Sequence, residues 1–140
     1  FTPELSLKKG NYSKLKPDIN DKLDIQKAIN QLHKLDAYSF SQGAVVRNNK
    51  VIAVENKTGT QEMLKKIKKI KKIQSGVLVK FPKKKQDIRI DLPTIGLNTL
   101  KQCKKAGLKG IVLKEKNNIF LEKKKCIQYA NKNKIFIKIK

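Results

Sequence analysis

One hundred and forty residues with 39 % hydrophobic content make one soluble globular domain large enough for its own core, and no apolar run nears the ~20 residues that a membrane-spanning helix needs. Thirty-four Lys plus Arg against 11 Asp plus Glu leave a net charge of +23, which favours a polyanionic partner: nucleic acid, an anionic membrane surface or a phosphorylated substrate. Arginine, the residue of base readout and bidentate phosphate clamps, occurs at Arg47 and Arg89 alone, so the charge reads as solvation or diffuse attraction rather than sequence recognition.

No targeting segment is visible. The chain opens on Phe1 and carries its one methionine at Met63, which leads to the expectation of a piece of a longer protein. Residues 1 to 20, with Pro3, Gly10 and Pro17, read as an irregular lead-in, and residues 21 to 140 as the folded domain. From Asp21 the pattern turns helical: Ile25, Ala28, Ile29, Leu32 and Leu35 share a face, with Asp21 or Asp24 near the amino end. His33 falls off that stripe and is expected at the surface. Gly43–Arg47 and residues 50 to 55 are β-branched runs joined by Asn48-Asn49, a pair that tolerates left-handed backbone angles, and they predict a tight hairpin closed by Glu55.

After the polar turn 56 to 60, Thr60 is placed to cap a helix with Met63 or Leu64, Ile67, Ile70 and Ile73 inward and six lysines, from Lys65 to Lys72, outward. That lysine face reads either as a solvated surface or as attraction to an acidic membrane. Ser75-Gly76 breaks the helix. Residues 77 to 81 form a continuous apolar run of the kind found in the middle of a sheet, with Lys80 leaving at the carboxyl end, where open α/β sheets bind ligands. Leu97, Leu100, Cys103 or Lys104, and Ala106 predict a helix stopped by Gly107. A strand at 110 to 114, a turn at Asn117-Asn118, a strand at 119 to 121, a helix at 122 to 131 with Cys126, Ile127 and Ala130 inward, and a strand at 135 to 139 complete the chain. Strands and helices interleave throughout, which predicts an α/β domain with a mixed sheet and flanking helices. Cys103 and Cys126 lack a CxxC and lie far from the single histidine, so they are expected as reduced core thiols and not as a zinc site.

The most distinctive stretch is Gln86-Asp87-Ile88-Arg89-Ile90-Asp91-Leu92-Pro93-Thr94-Ile95-Gly96. If residues 87 to 91 are extended, Ile88 and Ile90 face one side, and Asp87, Arg89 and Asp91 face the other at a spacing of ~6.5 Å. Carboxylate, guanidinium, carboxylate is either the solvated face of an edge strand or a place for a divalent cation and a phosphate to meet. Pro93 ends the strand, and the helix that follows presents unpaired N–H groups at its start.

With Val77-Leu78-Val79-Lys80 and a lysine loop before it, and Ala106-Gly107-Leu108-x-Gly110-Ile111 after it, this stretch resembles the carboxy-terminal domain of the bacterial UDP-2,3-diacylglucosamine pyrophosphatases of lipid A biosynthesis. Thr2-Pro3-Glu4-Leu5, Gln42-Gly43-Ala44-Val45-Val46, Val51-Ile52-Ala53-Val54-Glu55 and Gly59-Thr60 agree in order, so the likeness covers nearly the whole chain. The resemblance implies the second half of a two-domain cytoplasmic enzyme, peripheral to the inner membrane. Its reaction is metal-dependent hydrolysis of UDP-2,3-diacylglucosamine to lipid X and UMP, with Mg²⁺ or Mn²⁺ as cofactor and the anionic membrane surface and its own N-terminal domain as partners. It further implies Asp87 and Asp91 as metal ligands or water-orienting base, with Glu55 as a third metal ligand. Lys80 and Arg89 then hold phosphate oxygens, and Gln86, Thr94, Gln42 and Thr60 contact substrate. The chain departs from the family at Thr58-Gly59-Thr60-Gln61, where Glu-Gly-Thr-Asp is usual, and at Ser39, where an aspartate is expected. Those losses bear on activity if the missing acids held the metal. The competing expectation is a non-catalytic basic module for nucleic acid or an anionic membrane; against nucleic acid stand three Tyr, five Phe, no Trp and no recognised binding motif.

Overall fold

The computed structural model of the chain describes residues 8–34, 43–69, 73–81, 94–115 and 119–140. Twelve elements follow in order: β1 (Gly10–Asn11), α1 (Ile19–Lys34), β2 (Gly43–Arg47), β3 (Lys50–Val54), α2 (Gly59–Lys65), β4 (Val77–Lys80), β5 (Thr94–Ile95), α3 (Leu97–Lys105), β6 (Gly110–Leu113), β7 (Ile119–Phe120), α4 (Lys123–Lys132) and β8 (Phe136–Ile139). The main sheet has strand order β1-β8-β6-β4-β2-β3. Its centre, β4, β6 and β8, is parallel, while β2 pairs antiparallel with β4 and β3, and β1 pairs antiparallel with β8. This is the mixed α/β sheet expected from the interleaved pattern. A separate parallel pair, β5 and β7, sets Thr94 opposite Ile119.

Strand pleating sorts the apolar residues into two cores. Ala44, Val46, Val77, Val79, Val112 and Phe136 face α1 and its Ile25, Ala28, Ile29 and Leu32. Val45, Leu78, Ile111, Leu113, Ile137 and Ile139 face the other side, against residues of α2, α3 and α4. Because both faces of β4 are covered, all four of its residues are buried, which explains its unbroken apolar run. The hairpin of β2 and β3 turns through Asn48 and Asn49, both left-handed at φ 52° and 61°. Cys103 and Cys126 are free and buried, with the thiols pushed up by burial to about 12 and about 11. At neutral pH they are inert core side chains. His33 is exposed. Ile127 is half-buried rather than fully inward.

Three local expectations give way to tertiary contacts. Within the stretch read as a lead-in, Gly10–Asn11 add a strand to the sheet edge, and α1 starts at Ile19 instead of Asp21. Its cap is Asp18, and Asp21 stands in the first turn as expected: Asp21 N–H donates to Asp18 Oδ1 at 2.8 Å and Asp18 N–H donates to Asp21 Oδ2 at 2.9 Å, a reciprocal box. Lys109 bridges the two carboxylates at 2.8 and 2.7 Å, and its hydrogen bond holds the Asp18 carboxyl at about 2. Asp24 is buried instead, accepting from Asn49 N–H at 2.8 Å and so joining α1 to the hairpin turn; burial pushes its carboxyl up.

The lysine helix is also shorter than its periodicity predicts. α2 ends at Lys65, and Thr60 is not its cap. Lys66 and Ile67 N–H donate to Met63 and Leu64 carbonyls, three residues back, so the last turn tightens instead of propagating. Lysines at spacings of three and four repel one another, and the Lys68 carbonyl is taken by Arg47 Nη1 at 3.1 Å. Arg47 is 3 % exposed and also donates to Ser75 O at 3.0 Å and Ala106 O at 2.8 Å. One guanidinium thus satisfies the carbonyls of three segments that no ladder reaches.

At the end of α3, Gly107 takes φ 78° while Leu108 N–H donates to Cys103 O and Gly107 N–H to Lys104 O, the two bonds of a Schellman turn. The end of α4 is analogous, with Ile135 N–H donating to Ala130 O at 2.8 Å, but Lys134 occupies the left-handed position at φ 55°. A side chain there costs ~1 kcal/mol or more. Lys134→Gly is expected to raise stability by ~1 kcal/mol in urea unfolding, the opposite sign from glycine placed within a helix.

Candidate functional site

The carboxyl end of β4 carries a buried cation into the layer between the sheet and α2. Lys80 follows Leu78 by two residues and so shares its face, toward α2 and α3. Gly43 lies opposite Lys80 in the ladder of β2, and Leu113 on the other side in β6. Glu55 is fixed just past β3, where its N–H donates to Gly43 O at 2.8 Å. Thr60 stands in the first turn of α2.

These three elements bring Glu55, Thr60 and Lys80 together. The Thr60 hydroxyl donates to Glu55 Oε1 at 2.5 Å and accepts from Lys80 Nζ at 2.6 Å, and Lys80 Nζ lies 3.4 Å from Glu55 Oε1. Lys80 is 6 % exposed and Glu55 5 %. A buried ion pair contributes little net stability, because the cost of desolvating both charges offsets their attraction. A lysine held this way at the ligand-binding edge of a parallel sheet therefore reads better as chemistry than as packing.

Gly43 belongs to the same arrangement, although no chemical role marked it in the sequence. A Cβ there would lie 3.3 Å from Glu55 Oε2 and 3.4 Å from Lys80 Cγ, so glycine gives both side chains room that a larger residue would crowd. Just beyond the strands, Lys114 Nζ sits 5.9 Å from the centre of the Phe81 ring. Phe81 and Lys114 directly follow the paired ends of β4 and β6, which extends the cationic edge beyond Lys80. Sequence reading placed Lys114 at the end of a strand without seeing its neighbour.

Gln42, Gln86, Asp87, Arg89 and Asp91 lie outside the described residues. Thr94 is placed by its backbone in β5, which leads through Gly96 into α3. Among the described residues no three His, Cys, Asp or Glu side chains converge as a metal site, and Glu55 Oε1 is engaged by a hydroxyl and an ammonium. That donor set does not fit a divalent cation on its own. What it does offer is a lysine whose position is fixed by a carboxylate and a hydroxyl, suited to an anionic oxygen.

A family described as the LpxI C-terminal domain matches residues 8–138. Among curated proteins, the UDP-2,3-diacylglucosamine pyrophosphatase LpxI of Caulobacter vibrioides is similar, at 33 % identity over 141 residues. The alignment covers 96 % of this chain and 50 % of that relative, so the chain spans about half the relative's length.

Proposed function

Because the chain belongs to the LpxI C-terminal domain family, we propose that it forms part of an enzyme that hydrolyses the pyrophosphate of UDP-2,3-diacylglucosamine to 2,3-diacylglucosamine 1-phosphate, lipid X, and UMP, in lipid A biosynthesis. The observation that carries this reading is the family match along residues 8–138, which spans the buried Lys80–Thr60–Glu55 arrangement at the carboxyl end of the central strand. The reaction takes place in the cytoplasm and requires an N-terminal domain beside this one.

A diphosphate gathers negative charge on its oxygens as the bridging bond breaks. Lys80 and Arg89 supply the compensating charge, with Lys80 held by Thr60 and Glu55. Asp87 and Asp91 orient the attacking water or bind a divalent ion, while Glu55, engaged by Thr60 and Lys80, positions the lysine. Gln42, Gln86 and Thr94 add neutral hydrogen bonds. Mg²⁺ or Mn²⁺, when bound, supplies further neutralisation of the diphosphate and lowers the pKa of a water. In this reading Asp87 and Asp91 would hold the metal.

The test is UMP release from UDP-2,3-diacylglucosamine by the full-length protein. Asp87→Ala and Asp91→Ala are each expected to reduce turnover by ~10²-fold or more. EDTA is expected to abolish turnover and excess Mg²⁺ to restore it. Residues 1–140 alone are expected to turn over poorly. Hydrolysis that survives both substitutions removes the assignment of the two aspartates, and a full-length protein with no turnover favours a non-catalytic domain, in keeping with Thr58 and Gln61 in place of the family's acids.

A further inference from the structure

At the opposite end of α2 from Thr60 lies a second feature. The tail of α2 and the last turn of α3 enclose a cavity of about 240 Å³. Leu64, Ile67 and Ala106 give it an apolar lining, and Lys68, Lys69 and Lys105 stand around it. Leu64 and Ala106 are each 2 % exposed, so this lining is part of the core surface and not a loop that happens to be apolar. Both walls are fastened by one side chain: Arg47 donates to Lys68 O on one wall and Ala106 O on the other. Gly107 tightens the join further, since a Cβ there would lie 2.8 Å from Lys69 Cγ. The cleft is therefore built into the fold before any ligand arrives.

We propose that this cleft docks the anionic headgroup of a membrane phospholipid, seating the protein on an acidic bilayer by the face where α2 and α3 end. Lys65 also borders the cavity but is paired with Glu62 at 3.2 Å. Lys68, Lys69 and Lys105 have no ion-pair partner among the described residues, so three lysines free of carboxylates border an apolar hollow. That is the chemistry of an amphiphile, a phosphate attached to a glycerol and acyl chains. Ile73, expected inward from the periodicity, is 78 % exposed, an apolar side chain of the kind that enters a headgroup layer. Nucleic acid fits less well: the cavity wall has no aromatic ring for a base to stack on and no arginine to read one, the guanidinium of Arg47 being turned to backbone carbonyls. This docking does not depend on the hydrolytic reading, and its readout is separate from UMP release.

The experiment is co-sedimentation of the full-length protein with vesicles of phosphatidylcholine alone or phosphatidylcholine with a quarter phosphatidylglycerol, near physiological salt. Binding to the anionic vesicles alone is expected. The triple variant Lys68→Gln, Lys69→Gln, Lys105→Gln is expected to weaken it on the order of 100-fold. Removing three exposed lysines from the far face of the sheet, with Lys22→Gln, Lys27→Gln, Lys34→Gln, is expected to weaken it by less than about 5-fold. Glu62→Gln releases Lys65 and is expected to tighten binding by about 5-fold, a gain that misfolding does not produce. Equal losses in the two triple variants, unchanged binding by the first, or a single-stranded DNA that binds with the same dependence on Lys68, Lys69 and Lys105 would each overturn the proposal. A protein that releases UMP yet ignores anionic vesicles would sink this inference and leave the enzymatic one standing.

Discussion

Lys80→Met is expected to lower folding stability by ~3–5 kcal/mol, because it leaves the Glu55 carboxylate buried without the ammonium beside it. In the full-length protein the same change is expected to reduce UMP release by ~10²-fold or more. The two effects separate in a double variant. Lys80→Met with Glu55→Gln removes both charges yet keeps an acceptor for the Thr60 hydroxyl, which donates to Glu55 at 2.5 Å. Stability is expected to return by ~2 kcal/mol or more relative to Lys80→Met, since a neutral buried site avoids the desolvation of an isolated charge. Activity is expected to stay lost. Urea unfolding and turnover on the same preparations decide the matter: if activity recovers together with stability, Lys80 acts through packing and does not touch the diphosphate.

Arg47→Met is expected to be the most destabilising change far from that site. The side chain is 3 % exposed and gives three hydrogen bonds to carbonyls of Ser75, Lys68 and Ala106 at 2.8 to 3.1 Å. Hydrogen bonds from a charged donor contribute ~1.5–3 kcal/mol each, and the orphaned carbonyls cost more when they cannot reach water, so a loss of ~4 kcal/mol is a conservative expectation. Arg47→Lys is expected to recover less than half of it, because a single ammonium cannot span three acceptors set around a planar fork. Burial already pushes the Arg47 guanidinium below its ordinary value. Thermal unfolding of the three proteins gives the comparison; an Arg47→Lys variant as stable as the parent would show that charge alone suffices there.

Much of the fold was legible because it is written in local periodicity. Asn48-Asn49 between β-branched runs, the unbroken apolar stretch of β4, and Gly107 after the stripe of α3 each name their element without help from distant residues. The failures share a cause. β1 is two residues long and exists only because β8 lies beside it, 129 positions away in the register Gly10 to Ile139. α2 stops at Lys65, where Lys66 and Ile67 N–H turn to carbonyls three residues back, and the Lys68 carbonyl beyond it goes to Arg47. Asp18 and Asp21 gain their partner from Lys109, which no spacing connects to them. In the same way Glu55 and Thr60 were assigned to the site from a family likeness and Lys80 also from its place at a strand end, but their convergence depends on a ladder register and a helix start. Gly43 was quoted with that likeness, but its reason, room for two opposed side chains, is visible only in three dimensions.

The place of β8 in the sheet has a consequence for how the chain folds. It follows every other described strand in chain order, yet it is inserted between β6 and β1, so its absence would leave both with an open hydrogen-bonding edge. A chain that folds from its amino end keeps this slot vacant, with its hydrophobic wall exposed, until β8 docks. Closure of the sheet is accordingly a late step of folding, and a species that lacks it is prone to pair its open edges with another chain.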